Sequence, residues 1–174
     1  MLPNEMIRVL DRAEREIPGL LDDPDGWNTL FIDYEPPIVE RLWREFETDY
    51  RVYLHRIYPC ETALYHPHPW PSAVKIMTGP YEMGIGYEYL TRRDPSDYEP
   101  PITATVILTK GSSYEMTDKN AWHYVKPLGG TSYSIMVTGP KWDRWAPKVT
   151  HKLGPLKPET KEEIIRSFRH FYGK

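Results

Sequence analysis

Apolar residues recur at helical spacing near both ends of the chain. Residues 4–17 carry the first such pattern, and Pro18-Gly19 is expected to end that helix. Pro36-Pro37 is expected to open a second helix. Its buried face would consist of Ile38, Leu42, Trp43 and Phe46. The pattern therefore predicts two N-terminal helices that pack on the outside of the fold.

A third helix is predicted over residues 157–172, near the C-terminus. Its apolar side contains Ile164, Ile165, Phe168 and Phe171. Thr160 and Glu163 have the spacing of a capping box, in which each side chain binds a backbone N–H of the first turn. Residues 140–157 before this helix are expected to be irregular, since they are rich in Trp, Pro and Lys.

Between the helices the hydrophobic pattern changes to that of short strands. A strand is predicted over residues 27–33, and eight more follow from residue 51 onwards. These eight cover residues 51–58, 62–70, 73–78, 81–90, 102–109, 113–116, 122–126 and 131–138. Several short strands separated by turn signals are typical of a β-sandwich or barrel. The predicted fold class is mostly β, with peripheral helices.

Two glycines mark one face of the strand predicted over residues 81–90. This face carries Glu82, Gly84, Gly86 and Glu88. Glycine inside a strand often marks close approach of a neighbouring backbone or a ligand. A polar surface loop is predicted to follow over residues 91–101.

Length, charge and cysteine content limit the classes of protein to consider. The 174 residues suit one domain, and the net charge of −3 gives no electrostatic footprint for nucleic acid. No apolar run approaches the roughly 18 residues of a membrane span. The single cysteine, Cys60, excludes an internal disulfide. The first residues lack the basic and apolar regions of a signal peptide, so a cytoplasmic location is expected.

Prolines at every second position make the segment His66-Pro67-His68-Pro69-Trp70-Pro71 unusual. In an extended chain, alternate residues share a face, so His66, His68 and Trp70 would point the same way. A polyproline II conformation has a period of three and would break this alignment. The extended form predicts two imidazoles presented together, with Trp70 as an aromatic wall or a core residue.

A third histidine, His123, lies on another predicted strand. Three neutral imidazoles on one divalent ion leave coordination positions open for substrate, oxygen or water. The alternative is structural: the pair of histidines would only hydrogen-bond to carbonyl groups, and His123 would be a core residue. The other histidines, His55, His151 and His170, are assigned structural or solvent-exposed roles.

The spacing of these histidines resembles the motifs of the cupin superfamily. In the first motif, written G-x5-H-x-H-x(3,4)-E-x6-G, His66, His68 and Gly79 match, while Cys60 replaces the first glycine and Ser72 the glutamate. In the second, written G-x5-P-x-G-x2-H-x3-N, Gly111 and His123 fit with one extra residue between them. Thr117, Lys119 and Pro127 stand at its proline, glycine and asparagine positions. The resemblance covers roughly residues 50–140.

The resemblance implies a cupin-type double-stranded β-helix barrel with a metal or ligand site in its mouth. The chain would be one domain over residues 1–174, with a barrel core at about 50–140. The N-terminal helical extension would cover residues 1–49, and the C-terminal tail and helix residues 141–174. Because Ser72 replaces the glutamate, the chain is most similar to the three-histidine subset that includes cysteine dioxygenase. That subset implies iron(II), with Zn, Ni or Mn as alternatives, and cupins often form homodimers.

The implied function is an iron(II) dioxygenase acting on a small metal-chelating molecule. A non-catalytic small-molecule-binding or assembly module stays open, as does a metal-free isomerase or epimerase similar to sugar-modifying cupins.

Arg56 is expected on the inward face of its strand, where it would bind a substrate carboxylate or form a salt bridge with Glu82 or Glu88. Tyr133 and Met136 lie on opposite faces of the last strand, so either could line the pocket and Tyr133 is a candidate catalytic residue. Cys60 is open to two readings: a thiol that reacts near iron, or a small buried hydrophobe.

Overall fold

The computed structural model describes residues 4–33, 36–88, 99–142 and 153–173. It contains two α-helices, α1 (Glu5–Leu20) and α2 (Pro158–Phe171), and one short 3₁₀ helix (Pro24–Gly26) within these ranges. The strands are β1 (Asn28–Ile32), β2 (Val39–Phe46), β3 (Tyr50–Ile57), β4 (His66–Pro67), β5 (Ser72–Thr78), β6 (Tyr81–Tyr87), β7 (Ile102–Leu108), β8 (Ser113–Met116), β9 (Ala121–Pro127), β10 (Ser132–Thr138) and β11 (Leu153–Gly154). No described helix is long and apolar enough to cross a membrane. Most of the loop predicted over residues 91–101 lies outside the described residues, as does His151.

The strands form two antiparallel sheets. The large sheet has seven strands in the order β11-β1-β2-β3-β10-β5-β8, and the small sheet has four in the order β4-β9-β6-β7. A buried cluster joins the two, with Tyr53 and Met136 from the large sheet and Tyr81 and Met83 from the small one. The sheets therefore pack face to face, and the predicted mostly-β fold class is confirmed.

The large sheet is covered on both faces. On its outer face the helices pack against alternate strand residues, including Leu42, Leu54 and Ile135, in the largest buried cluster of the described residues. On its inner face, the intervening residues of the same strands pack towards the small sheet. A strand buried on both faces loses the simple alternation of apolar and polar residues.

The prediction of a second N-terminal helix is wrong, because the segment after Pro36-Pro37 forms strand β2. Leu42 and Phe46 face the helices, while Val39 and Trp43 pack on the inner side of the sheet. Apolar residues on both faces of a strand reproduce the i, i+4 spacing of a helix by coincidence. The N-terminal region consequently contributes one α-helix and two strands of the large sheet.

The helix ends also differ from their predictions. Pro18 lies inside α1, which continues to Leu20, so Pro18-Gly19 does not end the helix. The carbonyl group of Leu20 accepts a hydrogen bond from the Trp27 indole at 3.0 Å. In α2, Lys157 precedes the first turn and makes no side-chain capping bond, so the Thr160–Glu163 capping box is wrong. The Glu163 carboxylate instead binds Arg56 at 3.1 Å.

The glycines of β6 allow close contacts, as their position predicted. A Cβ atom added at Gly84 would lie 2.1 Å from the Tyr124 ring. One added at Gly86 would lie 2.4 Å from the carbonyl oxygen of Pro101 and 2.0 Å from the Tyr65 hydroxyl. The neighbour at Gly86 is partly backbone, which cannot turn aside as a side chain can. Gly86 therefore fixes the approach of the chain that leads into β7.

We expect Gly86→Ala to lower the free energy of unfolding by about 1–3 kcal/mol, the usual cost of overpacking. Gly130→Ala is the matched control, since an added Cβ there meets nothing within 4 Å. Urea denaturation of the two variants measures the difference. Equal stability of both would contradict the close approach at Gly86.

Candidate metal centre

A cavity of about 80 Å³ lies between the two sheets. The large sheet contributes Arg41, His55 and Ser134 to its wall, together with Val74 and Met136. The facing side contributes the histidines His66, His68 and His123 and Tyr81, while Tyr114 extends from β8 at the edge of the large sheet. None of the described residues that line this cavity carries a carboxylate. The polar side chains of the cavity are therefore imidazole, hydroxyl and guanidinium groups.

Strand pairing brings the three predicted histidines together. His66 on β4 is directly opposite His123 on β9, and His68 follows two residues later. The Nε2 atoms of His68 and His123 are 3.0 Å apart, and the donor nitrogens of all three lie within 4.8 Å of one another. His68 and His123 are 7% and 4% exposed. Histidines from distant parts of the sequence thus form one cluster, as predicted, with His66 half-buried and the other two buried.

Hydrogen bonds orient two of the three rings. His66 donates from Nδ1 to the carbonyl oxygen of Leu64 at 3.0 Å, which leaves the Nε2 lone pair available. Nδ1 of His68 lies 3.4 Å from the Ser72 hydroxyl, while Nδ1 of His123 is buried with no hydrogen-bond partner among the described residues. Ser72, at the position of the cupin glutamate, therefore contacts a histidine ring through its hydroxyl group.

Burial keeps these imidazoles neutral. It lowers the pKa of His68 and of His123 well below the usual value, and the neighbouring histidines lower both further. Burial also lowers the pKa of His66, although its hydrogen bond to the Leu64 carbonyl group acts in the opposite direction. Metal ions bind the neutral form of histidine, so no proton has to be removed first near neutral pH.

The donor set fits a divalent metal ion. Bonds of about 2.1 Å from imidazole to metal place two adjacent ligand nitrogens about 3 Å apart. The Nε2 atoms of His68 and His123 already have this separation of 3.0 Å. Two neutral nitrogens this close repel each other unless a proton or a metal ion lies between them. The cluster therefore has the chemistry and the spacing of a three-histidine site.

Trp70 packs against the histidine cluster. Its ring centroid lies 4.4 Å from that of His68, with the two planes at 77°. Trp70 also contacts the buried cluster between the sheets. Both interpretations of this residue therefore apply: it is a wall for His68 and part of the core.

Arg56 and Tyr133 lie away from the histidines. Both are on the outer face of the large sheet, where Arg56 pairs with Glu40 and Glu163 and Tyr133 packs on Phe168 of α2. The salt-bridge alternative for Arg56 thus holds, with partners other than the predicted Glu82 and Glu88. Neither Arg56 nor Tyr133 lines the cavity. Their catalytic role stays a prediction, and the geometry gives it no contact with the histidines.

The face of β3 that the sequence predicted to point away from the site is the inner face of the large sheet. His55 lies on it, is 4% exposed and lines the cavity. Arg41 lies beside it on β2, in the segment predicted as a helix. The alternation of Tyr53, His55 and Ile57 was a usable signal for this face. Val52 and Leu54 on the opposite face are more apolar, so the sequence predicted that their face points inward.

Of Met136 and Cys60, only Met136 lines the cavity. Met136 lines the cavity, whereas Tyr133 on the opposite face of β10 does not. Cys60 is a half-buried free thiol outside the cavity lining. Burial raises its pKa, while Lys126 acts in the opposite direction. A raised pKa makes the thiolate scarce, which disfavours a reactive role for Cys60.

No protein-family description matches the chain, and no curated protein matches it by sequence. The Fe(II) structure of HppE is similar, with a TM-score of 0.50 and 14% identity over 66% of this chain and 57% of that one. Hydroxypropylphosphonic acid epoxidase from S. wedmorenis gives 0.49 and 15%, over 66% and 56%. An RmlC-like cupin from Shewanella frigidimarina gives 0.45 and 12%, over 65% and 85%.

The chain thus spans little more than half the length of the first two of these proteins. At such low identity the likeness concerns the fold alone. The HppE structure with the TM-score of 0.50 has a cupin fold, and the histidine cluster lies where the sequence motifs predicted it. The chain therefore has a cupin-type fold.

Proposed function

We propose that this protein is a metal-dependent cupin enzyme in which His66, His68 and His123 bind one divalent ion. Iron(II) is the preferred ion, with Zn, Ni or Mn as alternatives, and the reaction is dioxygenation of a small metal-chelating molecule. The observation that carries the proposal is the convergence of three neutral imidazoles in a cavity whose described lining contains no carboxylate. The likeness of the fold to an Fe(II) structure of HppE supports the choice of ion.

A neutral ligand set suits a substrate that binds the metal directly. Three imidazoles leave the full charge of the ion uncompensated, so an anionic or chelating molecule is attracted to the open positions. When bound, iron(II) supplies the activation of dioxygen that organic side chains lack. The protein supplies orientation: Leu64 and Ser72 hold the rings of His66 and His68.

Apolar side chains and two tyrosines also line the cavity. Val74, Val125 and Met136 line the cavity and exclude water. The Tyr81 hydroxyl donates to the Tyr114 hydroxyl at 3.2 Å. Burial raises the pKa of Tyr114 to about 12, so its phenol stays protonated. Tyr114 can therefore donate a hydrogen bond to an oxygen atom of a substrate without itself ionising.

Elemental analysis of protein purified without a histidine tag tests metal binding. We expect about one metal ion per chain after reconstitution with iron(II) under nitrogen. Oxygen consumption is then followed with a panel of thiols and β-diketones, which bind metal through one or two donor atoms. Absence of metal after reconstitution would refute the proposal. Bound metal without oxygen consumption for any chelating substrate would favour the non-catalytic binding module.

A further inference from the structure

Strand β7 forms one edge of the small sheet. It stands last in the strand order β4-β9-β6-β7, and among the described strands only β6 pairs with it. An edge strand presents a row of backbone N–H and C=O groups to which another strand can pair. The outer side of β7 is therefore a template for a further strand.

The other edges of the two sheets are short, whereas β7 is long. β4 and β11 have two residues each and β8 has four, but β7 has seven. Proteins protect their edges by keeping them short, or by placing charged residues, proline or a bulge there. β7 contains no charged residue and no proline, and its register irregularity with β6 is confined to its first residues. The stretch Ala104–Leu108 is therefore a regular edge without such protection.

The side chains of β7 are exposed and mostly apolar or β-branched. Ile102 and Ile107 are 49% and 54% exposed, and they are two of the four exposed large hydrophobic residues in the described part of the chain. Thr103, Ala104 and Thr105 between them are exposed as well. β-branched side chains pack well against neighbours on a pleated surface. This strand is therefore better suited to pairing than to contact with water.

A second copy of β7 matches this edge. Antiparallel pairing of two identical strands has two-fold symmetry, so each copy uses the same residues. Because no charged residue lies within β7, the pairing brings no like charges together along the strand. Pairing about the middle residue, Thr105, places threonines of the two copies side by side, which is a favourable cross-strand pair.

Charges at the two ends of β7 favour the antiparallel arrangement. Glu99 precedes the strand and Lys110 follows it, and both are exposed. Neither belongs to a salt bridge among the described residues. Antiparallel pairing brings the Glu99 end of one copy to the Lys110 end of the other, whereas parallel pairing would bring like charges together. Opposite charges attract within a Debye length of about 8–10 Å, so the ends of two copies are complementary.

We propose that β7 pairs antiparallel with β7 of a second copy, which joins the two small sheets into one continuous sheet. Each copy has one such edge, so the assembly closes at two chains. β6 lies between β7 and β9, the strand that carries His123. The pairing is therefore independent of the proposed metal site and leaves its histidines in place.

Sedimentation velocity of the unaltered protein at increasing concentration tests the association. A seven-residue strand is about 24 Å long, so its edge covers less than the roughly 800 Å² per partner of a standard interface. We therefore expect a reversible dimer with a dissociation constant on the order of 10 µM. A monomer at a concentration one hundred times higher, about 1 mM, would overturn the proposal, as would assemblies of more than two chains.

Ile107→Lys is expected to weaken the dimer about tenfold or more, because the pairing buries this side chain on both copies. Glu82 is directly opposite Ile107 on β6, so the new lysine has a carboxylate neighbour and the single chain should stay folded. Leu153→Lys is the matched control, since Leu153 is 48% exposed on β11 at an edge of the large sheet. We expect the control to change the dissociation constant less than about twofold. Equal association of the two variants would overturn the proposal.

Reversal of the end charges tests the direction of pairing. Glu99→Lys and Lys110→Glu should each weaken the dimer about threefold or more, because each brings like charges together at both ends of the interface. The double variant exchanges the two charges and should restore the dissociation constant of the unaltered protein. A dimer that neither single variant weakens would overturn the antiparallel pairing, as would a loss that persists in the double variant. Metal content, measured in parallel, should be the same in all these variants.

Discussion

Replacement of His68 by alanine is expected to abolish metal binding. The variant keeps only His66 and His123 as nitrogen ligands, and removes the nitrogen that lies 3.0 Å from Nε2 of His123. Loss of an outer-shell partner costs roughly 10–100-fold in metal affinity, so loss of a ligand should cost more. We expect the metal content after gel filtration to fall from about one ion per chain to near zero. Elemental analysis measures it.

His170→Ala is the control for this experiment, because His170 is an exposed histidine on α2. Its metal content should equal that of the unaltered protein. Circular dichroism should show that both variants keep the β-sheet signal. Metal retained by the His68→Ala variant at the level of the control would contradict the assignment of His68 as a ligand.

The placement of His66 and His68 was predictable because the residues that determine it lie in the same short segment. Prolines around His66 and His68 favour an extended chain, and an extended chain puts both imidazoles on one face. His123 was identified by its place in the second cupin motif, on the strand predicted over residues 122–126. Pairing of β4 with β9 then places His66 opposite His123.

The opposite wall of the cavity was not predictable in the same way. Helices cover the outer face of the large sheet, so Val52 and Leu54 are as buried there as Tyr53 is on the inner face. Hydrophobic alternation cannot show which of two buried faces lines the site. The cavity position of Arg41 was missed for a related reason. Its strand is buried on both faces, so its apolar residues have the spacing of a helix. Only the packing of α1 and α2 on one face resolves the choice.

Arg56 lies on the outer face of the large sheet, and loss of its buried ion pair is expected to lower the stability of the protein strongly. Its guanidinium and the Glu40 carboxylate are paired, with side chains 11% and 10% exposed. The Tyr58 hydroxyl also donates to Glu40, at 3.0 Å. Burial lowers the pKa of Arg56, but its hydrogen bonds to Glu40 and Glu163 raise it by more, so the group stays charged. Loss of Glu40 would leave this buried charge without its main partner.

We expect Glu40→Ala to lower the free energy of unfolding by about 3–5 kcal/mol, as for removal of one partner from a buried ion pair. Glu163→Ala removes the exposed partner of the same guanidinium, and we expect it to cost no more than about 1 kcal/mol. Urea denaturation compares the two variants. Because the pair lies on the outer face of the sheet, both should keep the metal content of the unaltered protein. A loss of metal in Glu40→Ala protein that remains folded would instead tie Arg56 to the site, as the sequence alone suggested.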